Sequence, residues 1–71
     1  MYSMKHLQAA RNNVDKHLGD AITPDMLDPE SETGMDRFYE EIYTLAHDGA
    51  VNAGATMEAA RQIAMIVRGE Y

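Results

Sequence analysis

The sequence contains no cysteine and no tryptophan, and it has one phenylalanine. The absence of cysteine excludes a disulfide framework, a thiolate zinc site and a cysteine nucleophile. No apolar stretch reaches the length of a membrane span, and the N-terminal segment shows no hydrophobic region of a signal peptide. We therefore expect a cytoplasmic protein that has no contact with a membrane.

Large apolar side chains are also scarce. The chain has 71 residues, of which 45% are hydrophobic, but many of these are alanine and six are the flexible methionine. A chain of this length forms at most one domain, and its core only just offsets the chain entropy lost on folding. Such proteins commonly complete their core by self-association or by docking on a partner, so a homo-oligomer is one expectation.

Basic residues are few and unevenly placed. Lysine and arginine number 6 against 12 aspartates and glutamates, which gives a formal net charge of −6. Residues 20–48 carry the excess, because Arg37 is the one basic residue among nine acidic ones in that segment. Such a field repels phosphate backbones and anionic lipids and attracts basic surfaces. We therefore expect a partner with a basic surface rather than nucleic acid or a membrane.

The apolar residues recur at helical spacing, and no strand-like alternation of useful length is present. The sequence therefore predicts an all-α fold, a compact bundle within a single domain (residues 1–71). Its main helices are expected at about 4–18, 34–53 and 57–68, with a short helical turn near 24–27.

Capping residues set the expected ends of these helices. Ser3 and Thr56 are suitable N-caps, and Thr33 with an acidic residue three positions later resembles a capping box. Gly19 and Gly54 are placed to end the helices before them in the left-handed conformation.

Two helices have an apolar face that should be buried. For helix 34–53 this face consists of Met35, Phe38, Ile42, Leu45, Ala46, Gly49 and Ala53. For helix 57–68 it consists of Met57, Ala60, Ile63, Ala64 and Val67, whereas Met65 falls among polar residues and should be exposed.

No residue pattern indicates catalysis, a metal or a cofactor. His6, His17 and His47 have no partner at a metal-binding spacing, and His17 is expected at the edge of the core. There is no Ser/His/Asp arrangement and no glycine-rich phosphate loop. We therefore expect a protein that is not an enzyme.

The acidic segment partly matches a calcium-binding loop. Its acids Asp28, Glu30, Glu32 and Asp36 occupy positions 1, 3, 5 and 9, but position 12, which needs a bidentate glutamate, is Tyr39. Position 6 also lacks the required glycine. The acids are therefore better explained as solvated loop and helix-capping residues.

A binding surface is the strongest functional candidate. Tyr39 and Tyr43 lie one helical turn apart beside Glu40, an arrangement that suits an adaptable protein interface. The same rings equally fit the role of covering the edge of the core. The partner-binding residues predicted from the sequence are Asp28, Glu30, Glu32, Asp36, Tyr39, Glu40 and Tyr43.

The leading hypothesis is therefore a non-enzymatic protein-binding module, acting as a regulator, adaptor or inhibitor against a basic partner. One version is an acidic protein that occupies the channel of a nucleic-acid-binding protein, as some small phage-encoded inhibitors do. One alternative is a helix-turn-helix DNA-binding domain in residues 50–68, because Ala50, Gly54 and Thr56 suit a tight turn between helices. The other is a structural homo-oligomerisation unit.

Overall fold

The computed structural model describes residues 2–71, which form three helices and one 3-10 turn. The helices are α1 (Met4–Ala21), α2 (Gly34–Asn52) and α3 (Met57–Gly69), and the 3-10 turn spans Pro24–Leu27. No strand occurs within this described range. The predicted all-α bundle of three helices and a short turn is confirmed, and the predicted ends of α2 and α3 differ from the observed ends by one residue.

Three of the predicted caps are confirmed. The Ser3 Oγ accepts a hydrogen bond from the backbone N–H of His6 at 3.1 Å, and the Thr56 Oγ1 accepts one from Ala59 at 3.2 Å. Gly54 follows α2 with a φ of 104°, a backbone conformation that glycine adopts without a steric penalty. The chain can therefore turn sharply between α2 and α3.

The prediction that α1 ends at Gly19 is wrong. Gly19 has no positive φ and lies inside α1, which continues to Ala21. The helix ends ahead of Pro24, where Thr23 is extended, with φ −109° and ψ 157°. A residue before proline is driven out of the helical region by the proline ring, so the proline rather than the glycine limits α1.

The capping box at Thr33 is also wrong. Thr33 has φ −115° and ψ −3°, outside the extended region of a capping residue, and its side chain makes no cap hydrogen bond. Instead, the backbone N–H of Gly34 donates to the Oγ of Ser31 at 3.1 Å. The start of α2 is thus capped from the loop that precedes it.

The core is built mainly from alanine and β-branched residues. Its largest fully buried side chains are Ile42, Ile63, Val14 and Val67. The remaining volume is filled by small side chains that let the helices approach closely, among them Ala10, Ala46, Ala50, Ala60 and Ala64.

Helices α1 and α2 approach each other closely at Gly49. A Cβ atom at this position would lie 2.7 Å from the Cβ of Asn13, 2.9 Å from the carbonyl oxygen of Ala9 and 3.0 Å from the Cα of Ala10. Beside this contact, the Asn13 side-chain amide donates to the carbonyl of Leu45 at 2.7 Å. The two helices therefore meet nearly backbone to backbone.

Two methionines predicted in the core are exposed. Met35 is 50% exposed and Met57 is 54% exposed, while Ala59 takes a buried position beside Ala60. Both methionines stand in the first two positions of their helices, where the side chain projects past the end of the packed interface. Met65 is exposed, as predicted.

The end of α3 is attached to α1 by an ion pair. The Arg11 Nε and Nη2 atoms donate to the two carboxylate oxygens of Glu70 at 3.0 and 2.5 Å. This bidentate pair lowers the pKa of the Glu70 carboxyl, chiefly through the hydrogen bond from Arg11. Next to it, the Tyr71 hydroxyl donates to Asp15 at 3.3 Å. These contacts align α3 against α1.

The ion pair predicts a pH dependence of stability. The pKa of Glu70 is lower in the folded state than in the unfolded state. The ionised Glu70 carboxylate therefore stabilises the folded protein fully above the unfolded-state pKa. This stabilisation is lost as pH falls through the folded-state pKa. Urea unfolding at about pH 6 and about pH 3 should therefore show wild type more stable than Glu70→Gln at the higher pH, with a smaller difference at the lower. The control Glu32→Gln removes the same charge from an exposed loop residue that takes part in neither ion pair found within residues 2–71. A Glu70→Gln deficit that is equal at both pH values would contradict the assignment.

Candidate protein-binding site

Helices α2 and α3 run antiparallel and leave a groove between them on the surface. One end of this groove has a volume of about 470 Å³ and is lined by Asp36, Tyr39, Glu40, Tyr43 and Arg68. We call it the acidic tyrosine groove. The four α2 residues face one side of the helix because they follow the spacing of three and four residues. The structure thus brings together four of the seven residues predicted from the sequence.

Tyr43 lies at the centre of the α2 wall. Its ring is stacked on the imidazole of His47, with centroids 6.2 Å apart and planes inclined by 21°. The guanidinium carbon of Arg68 lies 5.6 Å from the centre of the same ring, within cation–π distance. Tyr43 is therefore half-buried and held between two side chains, with part of the ring still facing the groove.

Tyr39 is held by other aromatic contacts. Its ring meets that of Phe38 edge to face at a centroid distance of 5.5 Å, and its hydroxyl donates to the carbonyl of Tyr71 at 3.5 Å. Like Tyr43, it is half-buried and packs against the core. Both rings therefore cover the edge of the core, as one of the two interpretations predicted, and both also line the groove.

The groove continues toward the turn between α2 and α3. A second hollow of about 280 Å³ is lined by Tyr43, Thr44, His47, Asp48, Met57 and Arg61. Tyr43 belongs to both hollows and joins them. Along the groove, acidic and aromatic side chains of α2 form one wall. Basic side chains of α3 lie on the opposite wall.

Arg61 and Arg68 are the basic residues of the groove, and the binding residues predicted from the sequence include neither of them. They are separated by seven residues, which places them on the same side of α3 two turns apart. Their spacing predicts a common polar face of α3 from the sequence alone. Only the packing of α3 against α2 sets that face opposite the tyrosines.

The three predicted loop acids lie outside the acidic tyrosine groove. Asp28, Glu30 and Glu32 are exposed in the segment between the 3-10 turn and α2. The Asp28 Oδ1 accepts a hydrogen bond from the backbone N–H of Glu30 at 2.9 Å, which stabilises a local turn. The predicted binding residues are therefore divided between a groove and the loop that precedes α2.

Among residues 2–71, the structure brings together no three histidine or carboxylate side chains that could hold a metal ion. His17, predicted at the core edge, is exposed. The buried line of α1 passes through Leu7, Ala10 and Val14 and continues to the half-buried Leu18, which leaves His17 on the solvent side.

Comparisons with known proteins place the chain in no group. No known protein family, no curated protein and no solved structure matches this sequence or fold. Among residues 2–71, no helix has the length and apolar character required to cross a bilayer. The function is therefore argued from the groove and its charges.

Proposed function

We propose that this protein is a non-enzymatic binding module, a regulator, adaptor or inhibitor, whose acidic tyrosine groove receives a basic surface of another protein. One observation carries the proposal. Two half-buried tyrosines, Tyr39 and Tyr43, alternate with the exposed carboxylates Asp36 and Glu40 along one groove wall. This combination supplies apolar contact area and charge at the same place.

The tyrosines supply the contact that is removed from water. Tyrosine buries a large ring at a low cost in conformational entropy, and its hydroxyl satisfies a polar partner at the edge. Here the cost is lower still, because Phe38 and Arg68 already hold Tyr39 and Tyr43 in place. A preorganised ring binds more tightly than one that must be ordered on association.

The carboxylates supply attraction over a longer range. The one basic residue of segment 20–48, Arg37, forms an ion pair with Asp25 of the 3-10 turn. Within residues 2–71, the other recorded ion pair joins Arg11 to Glu70, outside this segment. The remaining acids of segment 20–48 are therefore free to accelerate encounter with a basic surface.

Arg68 limits the kinds of partner surface that are complementary to the groove. It lines the same groove as Asp36 and Glu40 and offers the hydrogen-bond donors of a guanidinium group there. A complementary surface is therefore basic opposite α2 and offers an acceptor, such as a carboxylate or a backbone carbonyl, opposite Arg68. The positively charged channel of a nucleic-acid-binding protein is one surface of this kind.

The helix-turn-helix alternative has weaker support. Its second helix would be α3, whose first turn carries Glu58, and Arg61 lies in a hollow shared with Asp48. These carboxylates stand where a DNA phosphate would approach, and their repulsion opposes binding. The tight turn at Gly54 is equally required by an ordinary bundle.

Charge reversal in the groove tests the proposal. The tagged protein is used to capture basic proteins from lysate at low salt, and the affinity for each identified protein is then measured with purified components. Glu40→Lys should weaken binding by about tenfold or more, because it replaces attraction by repulsion at the interface. Raising the salt concentration should weaken wild-type binding in the same direction.

The matched control is Glu58→Lys, which makes the same change in net charge at an exposed helical position outside both groove hollows. Its affinity should stay close to that of wild type. Equal losses in the two variants would show a response to net charge alone and would refute a specific groove. Recovery of no basic protein at low salt would refute the proposed function altogether.

A further inference from the structure

A separate apolar cleft lies between the 3-10 turn and the start of α2. It has a volume of about 400 Å³ and is lined by Met26, Leu27, Asp28, Pro29, Met35 and Phe38. We call it the methionine cleft. Its volume is at the small end of the range of about 300–1,000 Å³ found for ligand pockets, so it suits one bulky side chain and its neighbours.

The walls of the cleft expose apolar surface that the fold does not use. Leu27 is 66% exposed and Met35 is 50% exposed, whereas Met26 is 8% exposed and forms the floor. Methionine is flexible and polarisable, which lets such a surface adjust to different apolar side chains. An apolar cleft with a buried residue at its base and exposed apolar residues around it is suited to an anchor from outside.

The cleft is nevertheless held in a defined shape. A Cβ atom at Gly34 would overlap the carbonyl oxygen of Asp25, so the 3-10 turn lies directly on the first residue of α2. The ion pair between Asp25 and Arg37 and the hydrogen bond from Gly34 to the Ser31 Oγ join the same elements. Leu27 and Met35 therefore face each other across two elements that are fixed together.

Acidic residues surround this apolar surface. Asp28 is part of the cleft itself, Glu30 and Glu32 follow it in the exposed loop, and Asp36 comes directly after Met35. A segment that inserts an apolar side chain must therefore bring positive charge close to several carboxylates. This charge pattern selects the occupant.

We propose that the methionine cleft receives one bulky apolar side chain of a basic, amphipathic segment of the partner protein. The inference rests on the proposed function and adds a second contact to it. Phe38 lines the cleft and also meets the ring of Tyr39, so the cleft adjoins the acidic tyrosine groove along α2. A single helical or extended segment can therefore occupy both.

Charge also disfavours the other occupants of an apolar cleft. A second copy of this chain would bring another molecule of net charge −6, with its own acidic segment, against the same carboxylates. An anionic lipid surface is repelled for the same reason. A basic protein segment is the occupant for which both the apolar and the charged parts of the surface are favourable.

The absence of tryptophan from this protein permits a direct test. The probe is a synthetic peptide of about 15 residues, made of lysine and leucine at helical spacing with one tryptophan on its apolar face. Only the peptide then contributes tryptophan fluorescence. Binding to wild type should shift the emission to the blue, because the indole leaves water, and the titration yields a dissociation constant.

The test variant is Leu27→Gln/Met35→Gln, which changes two exposed side chains and should leave the thermal unfolding curve unaltered. It should weaken peptide binding by at least about tenfold and abolish the blue shift. The matched control is Met65→Gln, an equally exposed methionine on α3 outside the cleft, which should bind like wild type.

Other outcomes overturn this inference separately from the proposed function. Peptide binding that is equal in the cleft variant and the control, or absent in wild type, refutes the cleft as an anchor site. A fall in molecular mass of the free protein in the cleft variant, measured by light scattering, would assign the cleft to a second copy and refute it too. The cleft variant could still capture a basic protein that the Glu40→Lys variant no longer captures. That result would leave the proposed function intact.

Discussion

Replacing Gly49 with leucine should lower the free energy of unfolding by at least about 3 kcal/mol, a large fraction of the total. A chain of this size has a total stability of about 4–10 kcal/mol. The first atom of any side chain at Gly49 meets the backbone of Ala9 and Ala10, as well as the Cβ of Asn13. Backbone atoms in a helix cannot move singly, so α1 and α2 must separate.

A comparison of Gly19→Ala with Gly49→Ala should show that packing, and not helix propensity, decides the stability of a variant at Gly49. Alanine is favoured over glycine inside a helix by about 1 kcal/mol. Gly19, inside α1, has no atom near the position that a Cβ would take, so Gly19→Ala should raise the melting temperature by about 4–8 °C. At Gly49 the same substitution should lower it, because a clash with backbone outweighs the propensity gain.

Thermal and urea unfolding followed by circular dichroism measure both variants. The expected order of stability is Gly19→Ala, wild type, Gly49→Ala and Gly49→Leu, from highest to lowest. A stabilised Gly49→Ala protein would mean that α1 and α2 lie farther apart than described here.

Replacing Ile63 with alanine should cost about 2–5 kcal/mol, the second largest effect expected for a single substitution. Ile63 is fully buried and is one of four large side chains at the centre of the core. Its neighbours on α3 include Ala60 and Ala64, which are too small to move into the space it leaves. A cavity therefore remains, and its cost adds to the lost burial.

The control for this variant is Met65→Ala on the same helix. Met65 is 58% exposed, so its truncation should change the free energy of unfolding by less than about 0.5 kcal/mol. Urea denaturation at neutral pH gives both values. If the two variants lost similar stability, Ile63 would not lie in the core described here.

Both stability predictions bear on the groove. The wall formed by Tyr39 and Tyr43 faces Arg68 only while α2 and α3 stay packed through Ile42 and Ile63. A core variant should therefore bind the partner at the groove in proportion to the fraction of its molecules that are folded. This separates loss of stability from loss of a contact residue such as Glu40.

Local features of the chain were sufficient to predict where the helices lie. Ser3, Gly54 and Thr56 act on their own neighbouring backbone, so their roles follow from a few adjacent residues. The error at the end of α1 arose where two local signals competed. Gly19 permits a stop but does not require one, whereas Pro24 excludes further helix.

The candidate site was predictable in part for the same reason. Asp36, Tyr39, Glu40 and Tyr43 share one face of one helix, and helical periodicity alone places them together. The loop acids Asp28, Glu30 and Glu32 were grouped with them by charge and nearness in sequence. The structure places none of these three acids in the lining of the groove, because they lie in the loop before α2 and not on the helix face that carries the tyrosines.

The sequence by itself determined the helical class, the three helices and the acidic character of segment 20–48, because each depends on composition or on residues less than two turns apart. Only the tertiary structure decided that Arg68 lies over Tyr43 and that Leu27 faces Met35 across a cleft. Those contacts join residues on separate elements, and their geometry depends on how closely the helices pack. At Gly49 and Gly34 that distance is set by the absence of a single Cβ atom.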